Sequence, residues 1–173
     1  MIPPGLEYTP DVFSEDEQQN ILRENINKKS WDTTLFRRTQ HYNYRYLYKF
    51  SKPKPYFVEN LATNPWLVDI CQRCAPEFRD LNDIQVIINE YKPGQRISAH
   101  IDDCIQFSDT IYCLSLGAAA TMRFSRNKQT YDISVEPGSV YSFRGEARYK
   151  WTHEMLPTLG TRVSVTIRQM KLI

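Results

Sequence analysis

The sequence predicts an α+β fold in which two N-terminal helices precede and cover a sandwich, barrel or jelly roll of about eight short strands. A capping-box pattern and an Asn-Pro step mark the two helix starts. From about residue 84 onward the chain changes to short runs of β-branched and aromatic residues. Turn residues separate those runs at the spacing of an all-β core.

Taken in order, Ser14 followed by Glu17 is the capping box of a first helix reaching to about Asn27. Residues Phe36 to Phe50 add one or two strands. Asn64 caps a second helix with Pro65 in its first position, and this helix carries Trp66, Leu67, Ile70 and Cys74. The later strands are IQVIINEY, ISAHID, TIYCLSL, ATMRFS, QTYDISV, SVYSF and TRVSVTIRQM, divided by Pro93-Gly94, Gly117, Asn127-Lys128 and Pro137-Gly138. There is no internal repeat and no low-complexity tract.

At 173 residues, with 41% apolar and 24% charged, the chain suits one soluble domain with its own core. The absence of a long apolar run excludes a membrane helix, and the N-terminus lacks the basic and apolar regions of a secretory signal. An intracellular protein, cytoplasmic or nuclear and monomeric, is expected. Its four cysteines are then reduced thiols, with Cys71 and Cys74 on one helix. A net charge of +2 implies no polyanionic partner by its sum.

Two of the three histidines sit where they suit a metal. His100 and Asp102 are two apart, so on a strand they share a face. With His153 they make a two-His, one-carboxylate set, which leaves coordination positions open for cosubstrate and dioxygen and suits non-haem iron(II). H-x-D alone is common, and His153 could equally be a half-buried strand histidine. Strict alternation in the last strand puts Arg162, Ser164, Thr166 and Arg168 on one face. Two guanidinium groups leaning inward could close on a short dicarboxylate, since the planar Arg fork matches a carboxylate. Asn89 and Tyr91 form a second same-face pair with suitable donors. The plain alternative is a solvated edge face.

The order N-x-Y, P-G, H-x-D, H and R-x5-R resembles the AlkB family of iron(II)/2-oxoglutarate dioxygenases. The blocks NEYKPGQRISAHID, CLSLGAAATMRF, GEARYKWTHEM and RVSVTIRQM look like family blocks in sequence, from Ile84 to Met170. The resemblance implies a double-stranded β-helix, a jelly-roll variant, with the N-terminal helices packed on one sheet. It implies a single domain over 1–173, with helices and substrate lid in 1–80 and a catalytic jelly-roll core in 81–173. It implies Fe(II), 2-oxoglutarate and O2 as cofactor and cosubstrates. His100, Asp102 and His153 would ligate iron, Asn89, Tyr91 and Arg162 would contact 2-oxoglutarate, and Arg168 would lie near its chelating end with Ser164 assisting. The implied chemistry is hydroxylation of a C–H bond, with loss of formaldehyde when the carbon is an N-methyl group.

For the substrate, the run FRRTQHYNYRYLYKF places Tyr42, Tyr44, Tyr46 and Tyr48 on one face of a strand. Positive charge comes from Arg37, Arg38, His41, Arg45, Lys49, Lys52 and Lys54. Interleaved bases and aromatics suit nucleic acid, with rings stacking on bases and cations meeting phosphate. Tyr42, Tyr44, Arg38 and Arg45 are the candidates there, with Cys104 and Arg148 near the metal. The run and GEARYKWTH look most like the AlkB-like domain of the eukaryotic tRNA wobble-uridine hydroxylase, although this chain lacks room for that protein's RNA-recognition and methyltransferase domains. Cys104 stands where alkyl-DNA repair members carry an acidic residue facing the base. RNA or tRNA is therefore expected over DNA repair, with no membrane partner. A protein hydroxylase or demethylase, or an inactive nucleic-acid-binding module, is the alternative.

Overall fold

The structure is a computed structural model that describes residues 1–45 and 56–171. In chain order it contains β1 (Leu6–Thr9), α1 (Glu15–Asn20), β2 (Arg38–Tyr42), β3 (Tyr44–Arg45), β4 (Tyr56–Phe57), α2 (Pro65–Cys74), β5 (Ile84–Tyr91) and β6 (Ile97–His100). There follow β7 (Phe107–Gly117), β8 (Ala120–Arg126), β9 (Gln129–Val135), β10 (Val140–Phe143), α3 (Gly145–Tyr149), β11 (Thr152–Met155) and β12 (Arg162–Met170).

The capping box forms: the Ser14 hydroxyl accepts from the Glu17 N–H, and the Glu17 carboxylate accepts from the Ser14 N–H. Regular α-helix ends at Asn20, and a π turn and a 3₁₀ turn carry the chain on to Lys28. Helix α2 starts with Pro65 in its first turn, yet the Asn64 side chain does not cap it. The Asn64 amide is engaged instead with Glu59 and the Asn60 carbonyl. Leu67, Ile70, Cys71 and Cys74 bury the inner face of α2. They join Val86 and Ile88 of β5, Leu114 and Leu116 of β7, and Val163, Val165 and Ile167 of β12 in one core.

The strands form a six-stranded antiparallel sheet, ordered β1-β10-β7-β12-β5-β2, a four-stranded one, ordered β6-β11-β8-β9, and a separate two-stranded ribbon of β3 and β4. A second core lies between the first two, joining Tyr91, Ile111, Tyr141 and Phe143 of the larger sheet to Met122, Phe124, Val135 and Met155 of the smaller. Among the described residues no ladder joins the two sheets, and neither is closed or curled into a barrel. The jelly-roll or double-stranded β-helix core expected from the family resemblance is therefore corrected to an α+β fold of two open antiparallel sheets. Strand number and turn spacing are local properties, whereas closure depends on which distant edges pair. Here the N-terminal strands β1 and β2 take up both outer positions of the larger sheet.

Strand β12 is central, paired with β7 on one side and β5 on the other. Its polar face is consequently not a solvated edge: Arg162, Ser164 and Arg168 are all buried. The cross-strand partners of Arg162 and Ser164 on β5 are Tyr91 and Asn89, so the two same-face pairs lie side by side.

Candidate metal centre and cosubstrate pocket

On the smaller sheet His153 of β11 stands directly opposite His100 of β6, with ring centroids 4.3 Å apart. Strand β6 ends at His100, so Asp102 arrives from the loop that follows, not by strand alternation. Even so, its Oδ1 lies 3.1 Å from His100 Nε2 and 3.5 Å from His153 Nε2. The three ligand atoms all fall within 4.8 Å of one another. Two ligands about 2.1 Å from one ion and at right angles are separated by roughly 3 Å, so the two carboxylate–imidazole spacings suit cis positions on one metal.

Surrounding groups prepare each ligand. His100 Nδ1 must donate to the Ser98 carbonyl at 2.7 Å, because a carbonyl can only accept, so Nε2 carries the lone pair once the ring is neutral. Burial disfavours protonation of His100, but the Asp102 carboxylate and the Ser98 carbonyl outweigh this and raise it, so a metal would have to displace a proton there. His153 is packed against Phe143 and Phe124. Burial holds its imidazole below the usual histidine range despite the nearby Asp102, which favours the neutral form a metal requires. Burial would raise the Asp102 carboxyl, but the Arg168 guanidinium beside it holds it well below the usual carboxylate range. Arg168 Nη1 donates to Asp102 Oδ2 at 3.0 Å, and its Nε donates to Gln85 at 3.0 Å.

Beside this centre lies a cavity of about 600 Å³ between the two sheets, lined by Asn89, Tyr91, Arg162, Ser164 and Arg168 together with all three candidate ligands. Its volume is ample for a small diacid and part of a larger substrate. Arg162 is only 2% exposed. Its guanidinium meets Ser115 Oγ at 3.1 Å, Met155 Sδ at 3.2 Å and Cys113 Sγ at 4.0 Å, and among the described residues no ion pair to a carboxylate involves it. A buried cation with only neutral partners is costly unless an anion joins it.

A family model described as the 2OG-Fe(II) oxygenase superfamily matches residues 5–168. The chain belongs to that superfamily. Several of its relatives carry AlkB-homologue names. An uncharacterized protein, L905, of Acanthamoeba polyphaga mimivirus is 29% identical over 96% of this chain and 85% of its own length. The tRNA (carboxymethyluridine(34)-5-O)-methyltransferase ALKBH8 of Mus musculus is 30% identical over 90% of this chain, which spans only 25% of that protein. The fold is also that of solved structures with low identity. OsALKBH1 superposes with a TM-score of 0.70 at 15% identity, over 98% of this chain and all of that one. A viral collagen prolyl hydroxylase from Paramecium Bursaria Chlorella virus-1 gives 0.62 at 16% identity, over 97% of each chain.

In this oxygenase the residues expected to bind substrate are less well gathered than the metal and cosubstrate candidates. Tyr42 is 1% exposed, its hydroxyl hydrogen-bonded to Gln40 and its ring edge-on to Trp66, so it is core and cannot stack on a base. The alternating Tyr strand is interrupted at Asn43, which has a φ of 61°. The buried Asn43 amide donates to the Leu81 and Ile84 carbonyls and accepts from the Leu61 N–H, fixing the bend. Tyr44 is half-buried beyond it. Arg38 is held bidentately by Glu90 at 2.8 Å and stacks over Trp31, while Arg45 pairs with Asp32. Cys104 is exposed outside the cavity lining, and Arg148 is buried against the Asp102 loop. Tyr46, Tyr48, Lys49, Lys52 and Lys54 lie outside the described residues.

Other residues border the cavity in their place. Arg37 lines it and donates to Asn89 Oδ1 at 2.8 Å, and Arg96 and Ile101 line it too. Phe36, between the lining residues Leu35 and Arg37, is 89% exposed. Arg96 precedes β6, and its neighbours of both parities line the cavity too, so strand alternation gave no signal for it. Nothing in the pattern distinguished Arg37 from Arg38.

His41 does not add the positive charge expected of it. Burial, then the Arg45 guanidinium, pushes it from 6.5 down to about 4. Between those values the unfolded chain binds a proton that the folded chain refuses. The resulting stability is full above about pH 6.5 and is lost as pH falls towards 4. Urea midpoints of the metal-free protein are expected to decline across that window, and His41→Gln to flatten the decline. An unchanged slope in the variant would assign the effect to another group.

Proposed function

We propose that this oxygenase uses Fe(II), 2-oxoglutarate and O2 to hydroxylate, or oxidatively demethylate, a base in nucleic acid, with RNA or tRNA preferred. The observation that carries the cosubstrate part is Arg162, a buried guanidinium without a carboxylate partner among the described residues, in the cavity that holds the triad. In this reading His100, Asp102 and His153 hold the iron. Arg162 takes the distal carboxylate of the diacid, with Tyr91, Asn89 and Ser164 around it, and Arg168 orients Asp102 towards the metal. When bound, iron and 2-oxoglutarate supply the oxidising power that inserts oxygen into a substrate C–H bond. The chain's own groups bind, orient and exclude water: Phe124 and Phe143 keep the His153 side dry, and the two Arg fix the diacid. The whole of residues 1–173 acts as one catalytic domain.

Nucleic acid is supported by the AlkB-like relatives, one named as a tRNA-modifying enzyme, and by exposed Phe36 beside Arg37 and Arg96 at the cavity. An unstacked base reaches a buried centre at least cost from a loop or single strand. The decisive experiment is succinate formation from 2-oxoglutarate with Fe(II) and ascorbate. It is followed by mass spectrometry of methylated and wobble-modified RNA, tRNA and DNA oligonucleotides after incubation. No turnover under any condition would leave an inactive binding module. Turnover with no change in any oligonucleotide would move the reading to a protein substrate.

Affinity for single-stranded RNA is expected to fall with salt, with a log–log slope of about −0.7 per phosphate contacted. Arg96→Gln is expected to reduce that slope by roughly one contact while uncoupled succinate formation persists. An RNA affinity insensitive to salt would remove the phosphate contacts from the account.

A further inference from the structure

We propose that Arg148 is a positioning residue of the metal centre: Arg168 holds the Asp102 carboxylate, and the Arg148 guanidinium clamps the main chain at Asp102 and so fixes the one ligand that no strand holds. The inference rests on the reading that His100, Asp102 and His153 bind metal.

His100 and His153 are carried by paired strands, and their separation is set by the sheet. Asp102 lies past the end of β6, in a stretch without regular structure. Something else must hold it. Arg148 Nη1 donates to the Asp102 carbonyl and Nη2 to the Asp103 carbonyl, both at 2.8 Å. Nη1 also lies 3.8 Å from Cys104 Sγ. The rest of the loop has its own supports: the Asp103 carboxylate accepts from the Ile105 and Gln106 N–H groups, and Lys171 Nζ donates to the Cys104 carbonyl. These act beyond Asp102. At its own carbonyl the Arg148 bond is joined, among the described residues, only by a long contact from the Cys104 thiol at 3.4 Å, and Arg168 engages its carboxylate, not its main chain.

The choice of residue supports the role. Arg148 is 1% exposed, its hydrogen bonds go to neutral carbonyls and a thiol, and its guanidinium lies 5.0 Å from the Tyr149 ring. A buried cation is an expensive way to fill space. Only a planar guanidinium presents two parallel donors to two successive carbonyls, and a lysine would reach one. Arg148 lies on α3, five residues before His153, so one short segment supplies a ligand and also the clamp on another.

Charge and position make opposite predictions, which gives a sharp test. A cation beside the centre repels a divalent ion, so if charge alone mattered, Arg148→Met would bind metal more tightly. Positioning predicts the reverse, with a dissociation constant for Mn(II) raised by about 10–100-fold. The free Mn(II) signal in electron paramagnetic resonance reads this without turnover, and the Co(II) absorption bands of the variant should weaken and shift as the carboxylate leaves its place. Arg148→Lys keeps the charge and one donor, should fall between the two, and serves if the Met variant does not fold. Leu67→Ala, in the core under α2, provides a control of comparable instability remote from the centre.

Binding in either Arg148 variant that stays within about twofold of wild type, or is tighter, overturns the clamp. So does an equal loss in Leu67→Ala. Failure of the wild-type protein to bind Mn(II) or Co(II) would instead overturn the metal reading on which the inference rests.

Discussion

Arg162→Ala is expected to raise the 2-oxoglutarate concentration for half-maximal turnover by about 100-fold, since a bidentate charge-assisted contact contributes roughly 3 kcal/mol. The turnover number at saturation should change far less, because this carboxylate is remote from the bond being broken and its contact stabilises ground and transition states alike. Arg162→Lys should recover part of the affinity through a single point charge. The fold itself should not suffer. The guanidinium is buried against Ser115, Met155 and Cys113, none of them charged partners, so removing it relieves a desolvated cation. The melting temperature without cosubstrate is expected to hold or rise. Added 2-oxoglutarate should stabilise wild type, by mass action, much more than the variant. Near-wild-type cosubstrate affinity in Arg162→Ala would remove Arg162 from the diacid site.

The residues that were legible in the sequence are those whose placement follows from strand alternation. Arg162, Ser164 and Arg168 share a face of β12, Asn89 and Tyr91 share one of β5, and the register brings the two sets together. The Ser14–Glu17 box also acts within four residues and forms as read. What failed depended on distant parts of the chain. Closure of the sheets is decided by edge pairing, which spacing cannot reveal. The alternating Tyr residues read as sharing one face, yet Asn43 adopts a left-handed conformation and interrupts the strand there. Tyr42 then goes to the core and the half-exposed Arg38 pairs with Glu90, each set by elements far away in sequence. Arg148 resembled a substrate contact because it neighbours His153 in sequence, but its direction is set by α3, which turns it onto the Asp102 loop. Asp102 itself was placed correctly beside His100 for a reason that did not hold, since the loop and its clamp do the work assigned to the strand.

Asp102→Ala should have the largest effect of any single change, and it should act twice. It removes the only carboxylate of the triad, so Mn(II) or Fe(II) binding and succinate formation are expected to fall by about 1,000-fold or more, as the loss of one of three ligands and of its negative charge implies. It also deprives the buried Arg168 of the carboxylate oxygen 3.0 Å away, which should destabilise the metal-free protein by roughly 3 kcal/mol. The two effects can be separated. In Asp102→Ala/Arg168→Met both members of the pair are gone, so stability without metal should return most of the way while metal binding stays lost. The pH dependence gives a further check. The carboxyl of Asp102 is depressed in the folded state, so its stabilisation is present above the unfolded carboxylate range near pH 4 and is lost as pH falls through the lower folded value. The single variant should lack that part of the acid unfolding profile. A double variant as unstable as the single one would show that Arg168 is not the group Asp102 neutralises, and retained metal binding in either would remove Asp102 from the centre.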